Sequence, residues 1–135
     1  MPKTDVTFWL EGEPVAKARP RWSNGRVYTP SKTTEAENAI RRAYKEVDGQ
    51  EIHGPVCVSM RFSLKTPKNW SKAKKGMAQL LELLPTKRPD LDNLVKTVFD
   101  ALNGLAYEDD CQICELHAYK TYNEHPRTCV RVREI

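Results

Sequence analysis

Val6, Phe8 and Leu10 alternate with Thr7, Trp9 and Glu11, the period-two pattern of a strand with one face against a core. Glu11-Gly12-Glu13-Pro14 closes it. A basic stretch, Lys17-Ala18-Arg19-Pro20-Arg21-Trp22, leads through Ser23-Asn24-Gly25 to Arg26-Val27-Tyr28-Thr29-Pro30. Asn-Gly readily takes the positive backbone angles of a tight turn, so this region is predicted to be a basic hairpin or loop. Ala36, Ala39, Ile40, Ala43, Tyr44 and Val47 then recur at helical spacing. Thr34 with Glu37 forms a capping-box pattern, and Ser31 is the competing cap. The helix is expected to stop near Asp48-Gly49.

The clearest alternation in the chain is Val56, Val58, Met60, Phe62 and Leu64 against Cys57, Ser59, Arg61, Ser63 and Lys65. Thr66-Pro67 ends that strand. Residues 66–88 read as a loop with helical pieces. Ser71 is placed to cap one piece, and Leu80, Leu81, Leu83 and Leu84 are placed to pack it down. Leu91, Leu94, Val95, Val98 and Leu102 make the apolar stripe of a helix from about Pro89 to Asn103. Pro89 suits a first helical turn, and Gly104 suits the stop. Strands from about Cys111 to Tyr122 and Thr128 to Arg133 complete the chain. Interleaved strands and helices with short connections predict an α+β fold, a mixed sheet packed against two main helices.

Its 135 residues suffice for one domain with one hydrophobic core. A net charge of +4 favours a polyanionic partner. The basic residues gather in two places: Lys17, Arg19, Arg21 and Arg26 early, and Lys65, Lys68, Lys72, Lys74, Lys75, Lys87 and Arg88 later. No apolar run approaches the ~20 residues that span a bilayer, and the N-terminus lacks the apolar core of a signal peptide. A cytoplasmic protein with reduced thiols is expected. Cys111-Gln112-Ile113-Cys114 with Cys129 and His117 invites a zinc reading. Against it, residues three apart on a strand point to opposite faces, and no turn former separates the two cysteines. Buried or half-buried free thiols are the favoured reading. His53, His117 and His125 receive no role.

Chemistry concentrates in Lys87-Arg88-Pro89-Asp90-Leu91-Asp92-Asn93-Leu94-Val95-Lys96 and downstream in Glu108-Asp109-Asp110. Acidic residues inside a basic protein suggest a divalent metal held against a phosphate backbone. Magnesium and manganese want hard oxygen ligands, chiefly carboxylates. Asp90 and Asp92 fall at the predicted helix start, where both could face one site. Lys96 lies one turn beyond Asp92 on the same helix face, placed to neutralise a phosphate or protonate a leaving group. An Asp92–Lys96–Asp100 ladder is the rival explanation. Asp109 and Asp110, read as the start of a strand, would point opposite ways, leaving one of them for the metal. Asp-x-Asp alone is a weak motif, and on spacing alone helix capping with a solvated acidic face is favoured.

Three segments change that weighting. Pro89-Asp-Leu-Asp-Asn-Leu-Val-Lys96, Phe99-Asp-Ala-Leu-Asn103 and Asp109-Asp-Cys-Gln-Ile113 occur in order over about 25 residues. Together they closely resemble the core of the RusA family of Holliday junction resolvases. Val15-Ala-Lys-Ala-Arg-Pro-Arg21 and Tyr28-Thr-Pro30 resemble the N-terminal part of its phage and prophage members. The resemblance implies that Asp90, Asp92 and Asp110 are metal-binding aspartates and that Lys96 is the catalytic lysine. It also implies magnesium (with manganese as a substitute), no small-molecule cofactor, and a homodimer nicking a four-way DNA junction symmetrically. Lys17, Arg19, Arg21, Arg26, Lys87 and Arg88 would contact DNA phosphates. Trp22, Tyr28 and Trp70 are read as packing residues, with base stacking as the alternative. Flaps or forks as substrates, and a non-catalytic DNA-binding protein, remain open.

Overall fold

The computed structural model describes residues 2–135. Four strands form a mixed sheet: β1 (Asp5–Glu11), β4 (Val56–Lys65), β5 (Ile113–Asn123) and β6 (Arg127–Glu134), in the order β1-β6-β4-β5. β6 runs antiparallel to both neighbours, and β4 and β5 are parallel. Between β1 and β4 lie a separate hairpin, β2 (Arg21–Ser23) with β3 (Arg26–Tyr28), and helix α1 (Ser31–Glu46). Helices α2 (Lys72–Gln79) and α3 (Leu91–Leu102) lie between β4 and β5. The expected α+β fold is present. α2 joins the two main helices as a short third one.

One face of the sheet carries the core. Phe8, Val56, Val58, Met60, Phe62, Val130 and Val132 are buried with Ile40, Ala43 and Tyr44 of α1 and Leu94, Val98, Ala101 and Leu102 of α3. Alternation along each strand puts the intervening residues on the other face. There, register aligns Asp5, Arg133, Cys57 and Glu115 across the four strands. The next row holds Thr7, Arg131, Ser59 and His117, and the one after it Trp9, Cys129, Arg61 and Tyr119. Two guanidiniums approach the Trp9 ring, Arg61 at 5.9 Å and Arg127 at 5.0 Å from its centroid.

Several boundaries differ from the sequence expectation. α1 starts at Ser31, with Pro30 in the N-cap position and no side-chain cap. The Pro30 carbonyl takes the amides of Thr33 and Thr34, while Glu37 pairs with Lys17, so the Thr34–Glu37 capping box does not form. α3 starts at Leu91, because the Asp90 carbonyl takes the first helical amide, that of Leu94. Pro89 lies outside the helix, its carbonyl held by Lys120. Ser71 caps α2 as expected, its hydroxyl accepting from the Lys74 amide. Leu80, Leu81 and Leu84 do not pack that region down but face solvent, and Leu81 has a positive φ of 61°. The Asn24-Gly25 turn forms as predicted, at φ 52° and 74°. Trp22 and Tyr28 nevertheless project from that hairpin rather than packing, with Trp22 73% exposed. Trp70 does pack, edge-on against Tyr122.

Candidate active site

Asp90 occupies the N-cap position of α3 in extended conformation, yet its side chain caps no helix amide. An N-cap aspartate ordinarily accepts from the second or third helical amide; this carboxylate is left available for something else. Asp92 lies in the first turn and accepts from the adjacent Asn93 amide at 2.9 Å. The segment before the helix is anchored from the sheet. Lys120 of β5 donates 3.0 Å hydrogen bonds to the carbonyls of both Lys87 and Pro89. Arg19, Arg88 and Asp90 line one shallow hollow with Asn93, and Lys17, Arg19, Asp92 and Lys96 line the next. The early and late basic clusters therefore meet at the aspartate pair, Arg19 from one and Arg88 from the other.

Lys96 reaches one turn onward along α3 to Asp100, 2.9 Å away. That hydrogen bond raises the affinity of its amine for a proton, and the charge on Asp110 adds to the effect. Lys17 is also engaged, 2.5 Å from Glu37 and 3.2 Å from Asp100. Burial pulls its pKa down, but the bonds to the two carboxylates outweigh this and the net shift is upward. Of the predicted phosphate contacts, Arg19, Arg21, Arg26, Lys87 and Arg88 are accessible, whereas the Lys17 ammonium already serves two carboxylates. The rival ladder exists in half: Lys96 meets Asp100 and not Asp92.

Asp110 lies at the opposite end of α3. It opens a 3-10 turn, Asp110–Gln112, and is not part of the strand, which starts at Ile113. Its amide donates 3.0 Å to Asn103 Oδ1, at the C-cap of α3. Asp109 caps the turn, and Gln112 closes a reciprocal capping box. The Gln112 amide group also donates to the carbonyls of Ile52 and Gly54 at 2.8 and 3.1 Å. A 12-residue helix is about 18 Å long, so one chain holds the acidic residues as a pair and a distant single. Among the described residues, Asp90, Asp92 and Asp110 do not together form a group whose carboxylate oxygens all lie within 4.8 Å of one another.

The chain matches the family described as endodeoxyribonuclease RusA over residues 11–133. It belongs to the RusA endodeoxyribonuclease family. Two relatives illustrate its range. YqaN, an uncharacterised protein of Bacillus subtilis (strain 168), is 39% identical over 137 aligned residues, covering 96% of each chain. The crossover junction endodeoxyribonuclease rusA of Lactococcus phage r1t is 32% identical over 92 residues, covering 67% of this chain and 62% of that one. Membership makes this chain a nuclease acting on DNA. Sequence alone gives no role to Lys120 and shows Asn103 and Gln112 only as motif positions, while Asp100 stands there as the far member of the Asp92–Lys96–Asp100 ladder. Asp100, Asn103 and Gln112 had a signal, since all three fall in the segments that resemble the family; the contacts of Lys120 are visible only in three dimensions. Among the described residues, no helix is long and apolar enough to cross a membrane.

Proposed function

We propose that the protein is a magnesium-dependent homodimeric endonuclease that resolves four-way DNA junctions by paired symmetric nicks. It would serve recombination and repair in the cytoplasm of a bacterial or phage-infected cell. The observation that carries the reading is the uncapped Asp90 carboxylate beside Asp92, flanked by Arg19 and Arg88. A merely structural N-cap aspartate would spend its oxygens on the helix. The donor set is hard oxygen throughout, which suits magnesium or manganese.

Asp90 and Asp92 of one chain would hold the ion, with Asp110 as the third carboxylate. The length of α3 separates Asp110 from the pair, so a second copy is the source of the missing ligand that this geometry favours. A two-fold dimer then builds two equivalent sites, matching the two strands to be cut. Held by these carboxylates, a divalent ion would lower the pKa of a bound water and stabilise charge developing on the phosphate. Lys96, protonated and held by Asp100, neutralises that charge or gives a proton to the leaving oxygen. Arg19, Arg21, Arg26, Lys87 and Arg88 position the phosphate backbone without reading sequence.

The test is cleavage of a synthetic four-way junction beside linear duplex and a flap of matched sequence, with magnesium, with manganese and with EDTA. Paired nicks in the junction alone, lost in EDTA, support the proposal. Cutting of flaps or forks with equal efficiency replaces the junction with a broader substrate class. Binding without cutting under any metal overturns the catalytic reading.

A further inference from the structure

The zinc reading of Cys111, Cys114 and Cys129 with His117 does not survive folding, because these thiols do not gather around the histidine. A different thiol does. Cys57 of β4 lies beside Glu115 of β5 in parallel register, and His117 is two residues further along the same face. Cys57 Sγ, a Glu115 carboxylate oxygen and a His117 ring nitrogen all lie within 4.8 Å of one another. Among the described residues no other group of three such side chains converges this way.

We propose that Cys57, Glu115 and His117 form a zinc site, distinct from the acidic site, with an open fourth position for water. Sulfur, nitrogen and one carboxylate oxygen make a borderline-soft donor set that suits zinc and disfavours magnesium. Two rigid neighbouring strands hold the ligands, and Cys57 is 1% exposed, screened from competing oxidants and thiols.

The surrounding charges are arranged compatibly. Arg131, on the next row, is neutralised by a bidentate pair with Asp5, at 2.9 and 2.7 Å. Arg133 approaches Glu115 through Oε2 at 3.4 Å, while Oε1 faces His117 Nε2 at 2.9 Å. One carboxylate oxygen thus carries the outer contact and the other is turned to the ligand cluster, as outer partners of metal ligands commonly do. On binding, the Cys57 S–H bond breaks and its proton leaves to solvent as the S–Zn bond forms. In the free protein His117 Nε2 carries the hydrogen that Glu115 Oε1 accepts; on binding, that proton passes to solvent while Nδ1 takes one up, and the freed Nε2 lone pair goes to the ion. Glu115 already carries negative charge and gives up no proton. Because Glu115 and His117 begin the strand that follows the Asp110 turn, bound zinc would stiffen the support of that turn.

The measurement is cobalt titration of the metal-stripped, full-length protein, followed by zinc back-titration. A thiolate-to-cobalt charge-transfer band, saturating at one cobalt per chain and displaced by zinc, is expected. Cys57→Ser should abolish the band, and His117→Ala, at an exposed position, should abolish or grossly weaken it without threatening the core. Cys129→Ser should keep it, and magnesium should not displace it. Absence of the band in the wild-type protein, or its survival in both the Cys57 and His117 variants, overturns the proposal. Since the band requires sulfur, the result is independent of whether the aspartates hold magnesium or of any nuclease activity.

Discussion

The Asp110 amide is tied to Asn103 Oδ1 at 3.0 Å, which fixes Asp110 at the far end of the helix that Asp90 precedes as N-cap residue. If a site needs the pair from one chain and Asp110 from another, inactive chains should complement. Asp92→Asn and Asp110→Asn homodimers would each be dead. After mixing and subunit exchange, the heterodimer has one doubly defective site and one intact site, and should nick one strand of a junction. Nicking assays on the mixture check this. No recovery in dimers shown to have exchanged would place all three carboxylates of a site in one chain.

Asp90→Asn should leave junction binding within a factor of a few and reduce cutting by at least about 10²-fold, the scale of losing an essential catalytic group. Gel-shift and cleavage assays on the same samples separate the two effects. A parallel loss of binding would return Asp90 to a structural role.

Lys96 holds its proton more tightly than an ordinary lysine because of the hydrogen bond to Asp100. A folded-state pKa above the unfolded one contributes stability that is whole below the ordinary lysine value of 10.5 and lost as pH rises through the folded value. The same sign applies to activity. Asp100→Asn should move the alkaline limb of the cleavage profile to lower pH, while Lys96→Ala should cut the rate by about 10²–10⁴-fold. A pH–rate series on both variants checks it; an unmoved alkaline limb in Asp100→Asn would remove Lys96 from the proton-transfer step.

Gln112 binds two carbonyls of the 52–54 segment and accepts from the Glu108 and Asp109 amides. Gln112→Ala leaves those groups searching for partners, at a cost of about 1–3 kcal/mol. Thermal unfolding should show the loss, and cutting should fall further than binding because Asp110 rides on the same turn. Equal falls in both would mean that the turn serves stability alone.

At Gly49 an added methyl group would collide with the Tyr44 ring. Tyr44 is fully buried, and its hydroxyl donates to the Gln50 carbonyl. The ring therefore has little room to yield, and Gly49→Ala should cost about 1–3 kcal/mol. Calorimetry should show a lowered melting temperature with the junction-cutting rate of the remaining folded protein unchanged.

The alternating strands were legible because one face of the sheet carries the apolar core, so residue types alternate at Val56–Leu64 even though Cys57 and Ser63 on the other face are buried too. Helix α3 was legible for the same reason at a different period. What escaped sequence reading were groups recruited across the fold. Glu37 reads as the partner of Thr34 until Lys17 arrives from 20 residues away. Asp109 and Asp110 read as strand until Gln112 folds them into a turn anchored 58 to 60 residues back. The acidic site was visible as residue types in a motif; its division between the two ends of a helix was not, because spacing along a sequence does not say how far apart a loop will return. Cys57 was missed as a ligand because strand pairing, not proximity in sequence, brings Glu115 beside it.

Strand β6 is central in the sheet, between β1 and β4, yet it comes after every other element. Asp5 lies opposite Arg133 in register and pairs its carboxylate with Arg131, both in β6. During synthesis, neither the ladder of β1 nor the antiparallel edge of β4 can be paired until residues 127–134 leave the ribosome, and such long-range pairing is slow to form. A growing chain can therefore display its basic hairpin early, but it lacks the scaffold that fixes its acidic residues. In a DNA endonuclease, this strand order couples the placing of the acidic residues to the pairing of the strand that is made last.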